Sequence, residues 1–471
     1  MARGFGEGFP PKSIAVVGVS REQKHNHPGY TGLQLFRSLR DAGFQGAIYL
    51  VNPNADEVDG VRMYPRVTEL PERPDLVTVT VPPPAVPVVI EDCAKAGVLN
   101  VQVCTSGFAE TGQPEAMRLQ EEMTEIALRG GIRLVGPNCM GFQVPSVRMR
   151  MFDDVPLVEG PVAFVSQSGG HCRHLMRIGP ERGIGFSKVI SYGNAAVVGA
   201  TDFVEYLADD PETRVVCMYL EGVPDGRRLF DLVRKLVPVK PLVIWKAGVT
   251  GSGVRAAVSH TGSLAGEACV WHAFFEQTGA IGVGSMEEMA DVAQLLLHIR
   301  PPRGKRVAVV SSGGGNSVAT GDICAQEGLD MPPVSGSTRE GLLEFLSLVN
   351  QGIANPLDLP AVLSDAPKLR RTLELLDADP VVDMVVLYLS GEYFEGTIGG
   401  PMTGFDECVL EFNRSSEKQV VVAFSEEGGP AMKSRSIERL RERGLVVFES
   451  LRTACRALRR YAEYASSRAA A

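Results

Sequence analysis

Short apolar runs recur along this chain, each ending in Gly, Ser, Asn or Pro and followed by an amphipathic stretch. Ser13–Val19, Ile48–Val51, Leu76–Val81, Val101–Cys104 and Arg133–Val135 are examples. Runs that are nearly continuously apolar, rather than alternating, suit strands covered on both faces. Separated by helical periodicity, they predict parallel sheets of the α/β class. The first such unit spans 1–147. A second opens at Gly160–Val165, within a domain expected over 148–300. Arg300-Pro-Pro-Arg-Gly304 then reads as a linker, since Pro-Pro breaks helices. A third unit covers 301–471.

The second and third units resemble each other. Val162-Ala-Phe-Val-Ser-Gln-Ser-Gly-Gly170 matches Val307-Ala-Val-Val-Ser-Ser-Gly-Gly-Gly315. Further on, Leu207-Ala-Asp-Asp-Pro211 with Tyr219-Leu-Glu-Gly222 matches Leu376-Asp-Ala-Asp-Pro380 with Tyr388-Leu-Ser-Gly391. The third unit has the longer connection between these landmarks, and Asn355-Pro-Leu-Asp-Leu359 lies in it. Two matches in the same order favour duplication over chance. The expectation is a Rossmann-like first domain followed by two tandem flavodoxin-like domains.

Composition narrows the function. The 471 residues correspond to about three domains, and 47 Lys+Arg against 56 Asp+Glu give a net charge of -9. That balance offers nucleic-acid phosphates no overall attraction. The start of the chain has no apolar core of a secretory signal, and no run reaches membrane-spanning length. The nine cysteines include no C-x-x-C pair, as expected of reduced thiols. A cytoplasmic protein with no nucleic-acid or membrane partner and no metal site of its own is expected.

In both copies a strand runs into Ser-x-x-Gly-Gly and then a helix. Small residues permit a sharp turn and leave the first helical N–H groups free for an anion. Ser166, Gln167, Ser168 and Gly169, with Gly313, Gly314 and Gly315, are therefore candidate phosphate binders. A tight turn with no ligand would need the same residues. The first unit, with Ile14-Ala-Val-Val-Gly-Val-Ser20 and Gly29-Tyr-Thr-Gly32, is a Rossmann pattern without the full G-x-G-x-x-G. Its second strand ends at Asn52-Pro53, where a nicotinamide enzyme needs an acidic residue for the ribose. A different adenine nucleotide carrier fits better.

Of seven histidines, His260 stands apart. It lies in Ser259-His-Thr-Gly-Ser-Leu-Ala-Gly266, a small-residue loop without helical or strand periodicity. A neutral imidazole there can accept a phosphoryl group, although a loop histidine can equally be a surface residue. His171 and His174 follow the Ser166–Gly170 turn with no partner assignable. Where the second unit has Glu221 and His260, the third has Ser390 and no histidine. A carboxylate on one ring nitrogen sets the tautomer and leaves the other nucleophilic. One active site shared between related halves would leave this asymmetry.

These residues resemble the nucleoside-diphosphate-forming acyl-CoA synthetases, the superfamily of ADP-forming acetate–CoA ligase and succinyl-CoA synthetase. The carrying motifs are Ile14–Ser20, Gly136-Pro-Asn-Cys-Met-Gly141, Ser166–Gly170, Ser191-Tyr-Gly-Asn194, Ser259–Gly266 and Asn355–Asp358. The resemblance implies a CoA-binding domain and two ligase domains of α-subunit type. His260 becomes the phosphorylated histidine, Glu221 the glutamate that orients it, and the two Gly-rich helix starts a cradle for phosphohistidine. CoA lies along Gly18, Ser20, Gly32, Asn52, Pro53, Val81, Pro82, Thr105 and Gly107. Asn138 and Asn194 border the acyl pocket.

The implied reaction joins a small carboxylic acid to CoA with ATP, through acyl phosphate and phosphohistidine. ATP/ADP and Mg2+ belong to an ATP-grasp module that is not evident after Arg300. A separate ATP-grasp β subunit, in a heterotetramer, is therefore expected. Val197 and Val198 stand where the family carries an acidic residue, and Gly169-Gly-His-Cys172 replaces a small aliphatic run; both border the implied acyl pocket. Two other readings of the scaffold are a catalytically silent CoA or acyl-CoA sensor and an ATP-independent acyl or carbamoyl transferase.

Overall fold

The computed structural model describes residues 6–20, 31–253, 267–312, 317–347, 352–396, 402–427 and 429–470. His260, Gly313, Gly314 and Gly315 lie outside the described residues.

The first sheet is built from β1 (Ser13–Val17), β2 (Ala47–Val51), β3 (Glu57–Val58), β4 (Val61–Tyr64), β5 (Leu76–Val79), β6 (Asn100–Val103) and β7 (Arg133–Val135), in the order β3-β4-β2-β1-β5-β6-β7. All neighbours are parallel except the β3–β4 hairpin. Without β3 this is the Rossmann order 3-2-1-4-5-6. β1, β5 and β6 are buried along their whole length; β6 buries Asn100 and Gln102 as well, Asn100 hydrogen-bonded to the Asp75 carbonyl just ahead of β5 and Gln102 to Thr78 within it. Helix α1 (Gly32–Ala42) follows β1; its Thr31 cap and Gln34 form a reciprocal capping box, and Gly43 ends it in the left-handed conformation. Helices α2 (Val86–Lys95) and α3 (Pro114–Arg129) complete the crossovers.

The second sheet contains β8 (Gly141–Gln143), β9 (Glu159–Ser166), β10 (Phe186–Ser191), β11 (Val215–Leu220), β12 (Leu242–Lys246) and β13 (Ile281–Val283), in the order β13-β12-β11-β9-β10-β8. β9 to β13 follow the flavodoxin order 2-1-3-4-5. β8 comes from the segment in which the sequence reading closes the first domain. It is hydrogen-bonded antiparallel to β10 and so extends the second sheet. Helices α4 (Gly169–Glu181), α5 (Ala200–Asp209) and α6 (Gly226–Leu236) are its first crossovers.

The third sheet, β14 (Val307–Ser311), β15 (Leu357–Asp358), β16 (Met384–Leu389), β17 (Val420–Phe424) and β18 (Val447–Phe448), is wholly parallel in the same 2-1-3-4-5 order. The landmarks of the internal repeat therefore fall on equivalent strands, β9 with β14 and β11 with β16.

By packing the chain forms two compact units, Met1–Pro180 with Gly185–Met286, and Glu181–Ile184 with Glu287–Ala471. The helix Met286–His298, ahead of the Pro-Pro linker, thus belongs almost entirely to the unit that carries the third sheet. Asp291 forms a buried pair with Arg182 at 3.0 Å, and Tyr461 donates to the Ile299 carbonyl at 2.6 Å. Among the described residues no helix is long and apolar enough to cross a membrane.

Candidate functional site

The candidate CoA residues come together at one edge. Gly18 follows β1, Asn52 and Pro53 follow β2, Val81 and Pro82 follow β5, and Thr105 and Gly107 follow β6. They line the carboxyl ends of the strands on both sides of the β1–β5 junction, where the strand order reverses and α/β sheets bind ligands. Ser20, Pro53 and Pro82 are exposed, while Gly18, Asn52, Val81, Thr105 and Gly107 are half-buried. Such an open rim fits an extended carrier molecule lying along it.

Local packing explains the two glycines of the first turn. Gly18 has φ +96, and a Cβ there would meet Thr80 Oγ1 at 2.9 Å; at Gly32 it would meet the same atom at 2.6 Å. Thr80 Oγ1 donates to the Val17 carbonyl at 2.8 Å, which holds β5 against the turn. Asn52 is a brace as well. Its Nδ2 donates to the Val19 carbonyl and its Oδ1 accepts from Asn54 N–H.

Asn138 and Asn194 are also brought together, with Asn138 Nδ2 3.3 Å from Asn194 Oδ1. Asn194 Nδ2 donates to Glu110 at 2.6 Å and to Gln120 at 2.9 Å. Glu110 in turn accepts from the Gly107 and Phe108 N–H groups. These contacts tie the β6 rim of the first sheet to the loop after β10. Glu110 and Gln120 had no signal in the sequence, because their role depends on residues more than seventy positions away.

At the start of α4, Ser166 Oγ accepts from Ser168 N–H at 3.0 Å and donates to the Ser168 carbonyl, closing the turn. The helix begins at Gly169, where a Cβ would lie 2.3 Å from Met140 Cγ. Its first N–H groups have no intrahelical partner and carry the positive end of the helix dipole. His171 is packed rather than solvated: its ring stacks on Trp245 at 5.0 Å and meets the edge of Tyr219 at 4.2 Å.

Gln167 and Glu221 are both buried and meet across the sheet. Gln167 Oε1 accepts from the N–H groups of Glu221 and Gly222, and Tyr219 Oη donates to Glu221 Oε1 at 3.2 Å. Burial, followed by the nearby Glu221 charge, pushes the Tyr219 hydroxyl above its usual range. From the other side Lys246 Nζ donates to the Glu221 carbonyl at 2.8 Å and to that of Ala247. Burial lowers the Lys246 ammonium from its ordinary value, and the Glu221 charge opposes this. Glu221 therefore stands at the end of β11 with its backbone held from two sides.

The third sheet repeats part of this arrangement, without the carboxylate and with Phe424 in the register position of Lys246. Ser312, the counterpart of Gln167, accepts from Ser390 N–H at 3.2 Å, and Ser390 occupies the place of Glu221. Ser312 N–H donates to the Tyr388 carbonyl just as Gln167 N–H donates to that of Tyr219. Among the described residues no group of three or more His, Cys, Asp or Glu could hold a metal ion.

Residues 12–145 match a CoA-binding domain and residues 159–296 match the succinyl-CoA-ligase-like flavodoxin domain. The chain is 32% identical over 461 residues to the α subunit of ADP-forming acetate–CoA ligase I of Pyrococcus furiosus, covering 96% of this chain and 95% of that one. It is 38% identical over 383 residues to ADP-forming acetate–CoA ligase I of Archaeoglobus fulgidus, covering 81% of this chain and 54% of that longer protein. It thus spans about half of that relative's length. A dinucleotide-forming acetyl-coenzyme A synthetase 1 from Ca. Korarchaeum cryptofilum, solved with phosphate and ADP, superimposes with a TM-score of 0.84 at 31% identity, covering 98% of this chain and 96% of that one. The chain belongs to the family of ADP-forming acetate–CoA ligases.

Proposed function

We propose that this chain is the α-type subunit of an ADP-forming acyl-CoA synthetase and works with an ATP-grasp β subunit. In the thioester-forming direction, His260 takes the γ-phosphoryl group of ATP and ADP leaves. A carboxylate oxygen of the acid then attacks phosphorus, giving an acyl phosphate and restoring the imidazole. The CoA thiolate attacks the acyl carbon, and phosphate departs as acyl-CoA forms. CoA lies along the rim from Gly18 to Gly107. Ser166, Gln167, Ser168 and Gly169, at the N-terminus of α4, are assigned to phosphate, and so, from the sequence alone, are Gly313, Gly314 and Gly315. Asn138 and Asn194 border the acyl group. The nucleotide and its Mg2+ are held by the partner, in a heterotetramer. The domain limits that go with this reading are 1–147, 148–300 and 301–471.

The observation that carries the reading is the clamp on Glu221. Gln167 and Lys246 hold its backbone at the end of β11, and Lys246 closes β12, the strand that leads toward His260. A carboxylate held this firmly can orient an imidazole and stabilise the charge of its phosphorylated form. The second copy keeps one hydrogen bond of the clamp, from Ser390 N–H to Ser312, has Phe424 in the register position of Lys246 and lacks the carboxylate, which argues for chemistry at the first copy alone.

Incubation with the β subunit and γ-labelled ATP tests this. The wild-type chain takes up acid-labile, base-stable label; His260→Ala takes up none, and Glu221→Gln takes it up slowly. Label persisting in a folded His260→Ala chain would overturn the assignment.

A further inference from the structure

Glu110 is a half-buried carboxylate that the proposed reaction does not use. Among the described residues its partners are all N–H groups. Gly107 N–H reaches Oε1 at 2.6 Å, and Phe108 N–H lies between the two oxygens at 3.1 and 3.2 Å. Asn194 Nδ2 reaches Oε2 at 2.6 Å. One oxygen therefore holds the rim beyond β6, and the other holds the loop after β10. Bracing the Gly107–Phe108 turn alone needs a single acceptor, so the second oxygen has a separate consequence.

A carboxylate only accepts hydrogen bonds, so it dictates which way its partners turn. Asn194 must present its amide nitrogen to Glu110. Gln120, on α3, enforces the same direction. Its Oε1 accepts from Ala109 N–H at 3.3 Å, a group that can only donate, and from Asn194 Nδ2 at 2.9 Å. Both amide hydrogens of Asn194 are thus taken, and its Oδ1 accepts from Asn138 Nδ2 at 3.3 Å. Asn138 is left with one amide hydrogen and its Oδ1 in a fixed order. The backbone is equally constrained: Asn138 N–H donates to the Thr105 carbonyl at 2.9 Å, and Asn194 N–H to the Pro137 carbonyl at 3.0 Å. Asn138 and Ala195 hold φ of +58 and +56, a left-handed conformation that non-glycine residues keep only where the surroundings over-determine it.

We propose that Glu110 is the positioning residue of the acyl pocket. Through Asn194 it fixes the Asn138 amide so that one N–H remains for the oxygen of the acyl group. That oxygen gains negative charge as the CoA thiolate adds to the acyl carbon, and gives it up as phosphate leaves. A donor fixed in advance favours the charged state without reorganising. Glu110 acts through the two asparagines and makes or breaks no bond to substrate. This role rests on the synthetase reading, since it concerns transfer of the acyl group to CoA.

Glu110→Gln is the nearly isosteric test. Its Oε1 can still accept from Gly107 and Phe108, but its amide nitrogen meets that of Asn194, so the relay must reverse or break. With the β subunit present, the variant should take up label from γ-labelled ATP and discharge it slowly when acid and CoA are added. The acid is whichever of acetate, propionate, butyrate and phenylacetate discharges the wild-type chain fastest. kcat should fall roughly tenfold or more, with KM for CoA little changed. Combining Glu110→Gln with Asn194→Asp moves the carboxylate one step along the relay. The new amide then donates to the new carboxylate, Asn138 Nδ2 again has its acceptor, and kcat should recover to within a few-fold of wild type. Should that double variant not fold, Glu110→Gln in an Asn138→Ala background decides, because a residue acting through Asn138 has little further effect there. Wild-type kcat in Glu110→Gln, a folded double variant no faster than Glu110→Gln, or additive losses with Asn138→Ala would each overturn the proposal. The two readings fail separately. A wild-type chain that takes no label, or that none of the acids discharges, removes the synthetase reading. Normal labelling with undiminished discharge in Glu110→Gln removes the role of Glu110 alone.

Discussion

Gln167 Oε1 accepts hydrogen bonds from the backbone N–H groups of both Glu221 and Gly222, joining the end of β9 to the end of β11. The two N–H groups are buried, so losing their acceptor costs about 1–3 kcal/mol for each. Gln167→Met should lower the melting temperature. It should also slow the first-order labelling of His260 at temperatures where the variant is fully folded. A variant that melts earlier and labels at the wild-type rate would restrict Gln167 to a structural role.

The turn after β1 should be intolerant of any side chain. Gly18→Ala combines a positive φ with a Cβ 2.9 Å from Thr80 Oγ1 and 3.0 Å from the Thr80 carbonyl carbon. Backbone strain of this kind costs about 1–3 kcal/mol. The variant should lose stability in urea titrations and bind CoA more weakly by calorimetry. Gly60→Ala is the control: Gly60 also has a positive φ, but nothing lies within 4 Å of its added Cβ. It should lose stability alone and keep its CoA affinity.

The C-terminal unit should weaken in acid through Glu327. This largely buried carboxylate accepts from Arg452 and Arg456 of the C-terminal helix at 2.9 and 3.0 Å. The Arg456 hydrogen bond is the main cause that holds its pKa below 4.5. A depressed folded-state pKa contributes stability that is present above the unfolded value and is lost as the pH falls through the folded one. Melting curves recorded as the pH drops below 4.5 should therefore show a loss that Glu327→Gln lacks. The variant should also be less stable than wild type at pH 7.

Much of the fold was legible because its signals are local. The apolar runs mark β1, β2, β5, β6, β7 and β9 to within a few residues, and the two Ser-x-x-Gly-Gly turns mark equivalent strands. The candidate site was legible in the same local terms. Gly18 and Gly32 are identifiable as turn residues, although their shared contact with Thr80 is not. Glu221 drew notice only because Ser390 stands in its place. Lys246 carried no signal, because a lysine ending an apolar strand looks like one reaching into solvent. Here it turns inward, beneath the Glu221 carbonyl and the Trp271 ring.

By itself, then, the sequence determined the α/β class, the order of units and the duplication, and singled out candidates for the chemistry, since each depends on neighbours a few positions apart. Only the tertiary structure decided which strands lie side by side. It placed β8 in the second sheet, brought Glu110 and Gln120 to Asn194, packed His171 on Trp245, and turned Lys246 beneath the Glu221 carbonyl. These are contacts between residues far apart in the chain. They form where the sheets and crossover helices bring hydrogen-bond partners and apolar faces together, and no local pattern specifies which partner that will be.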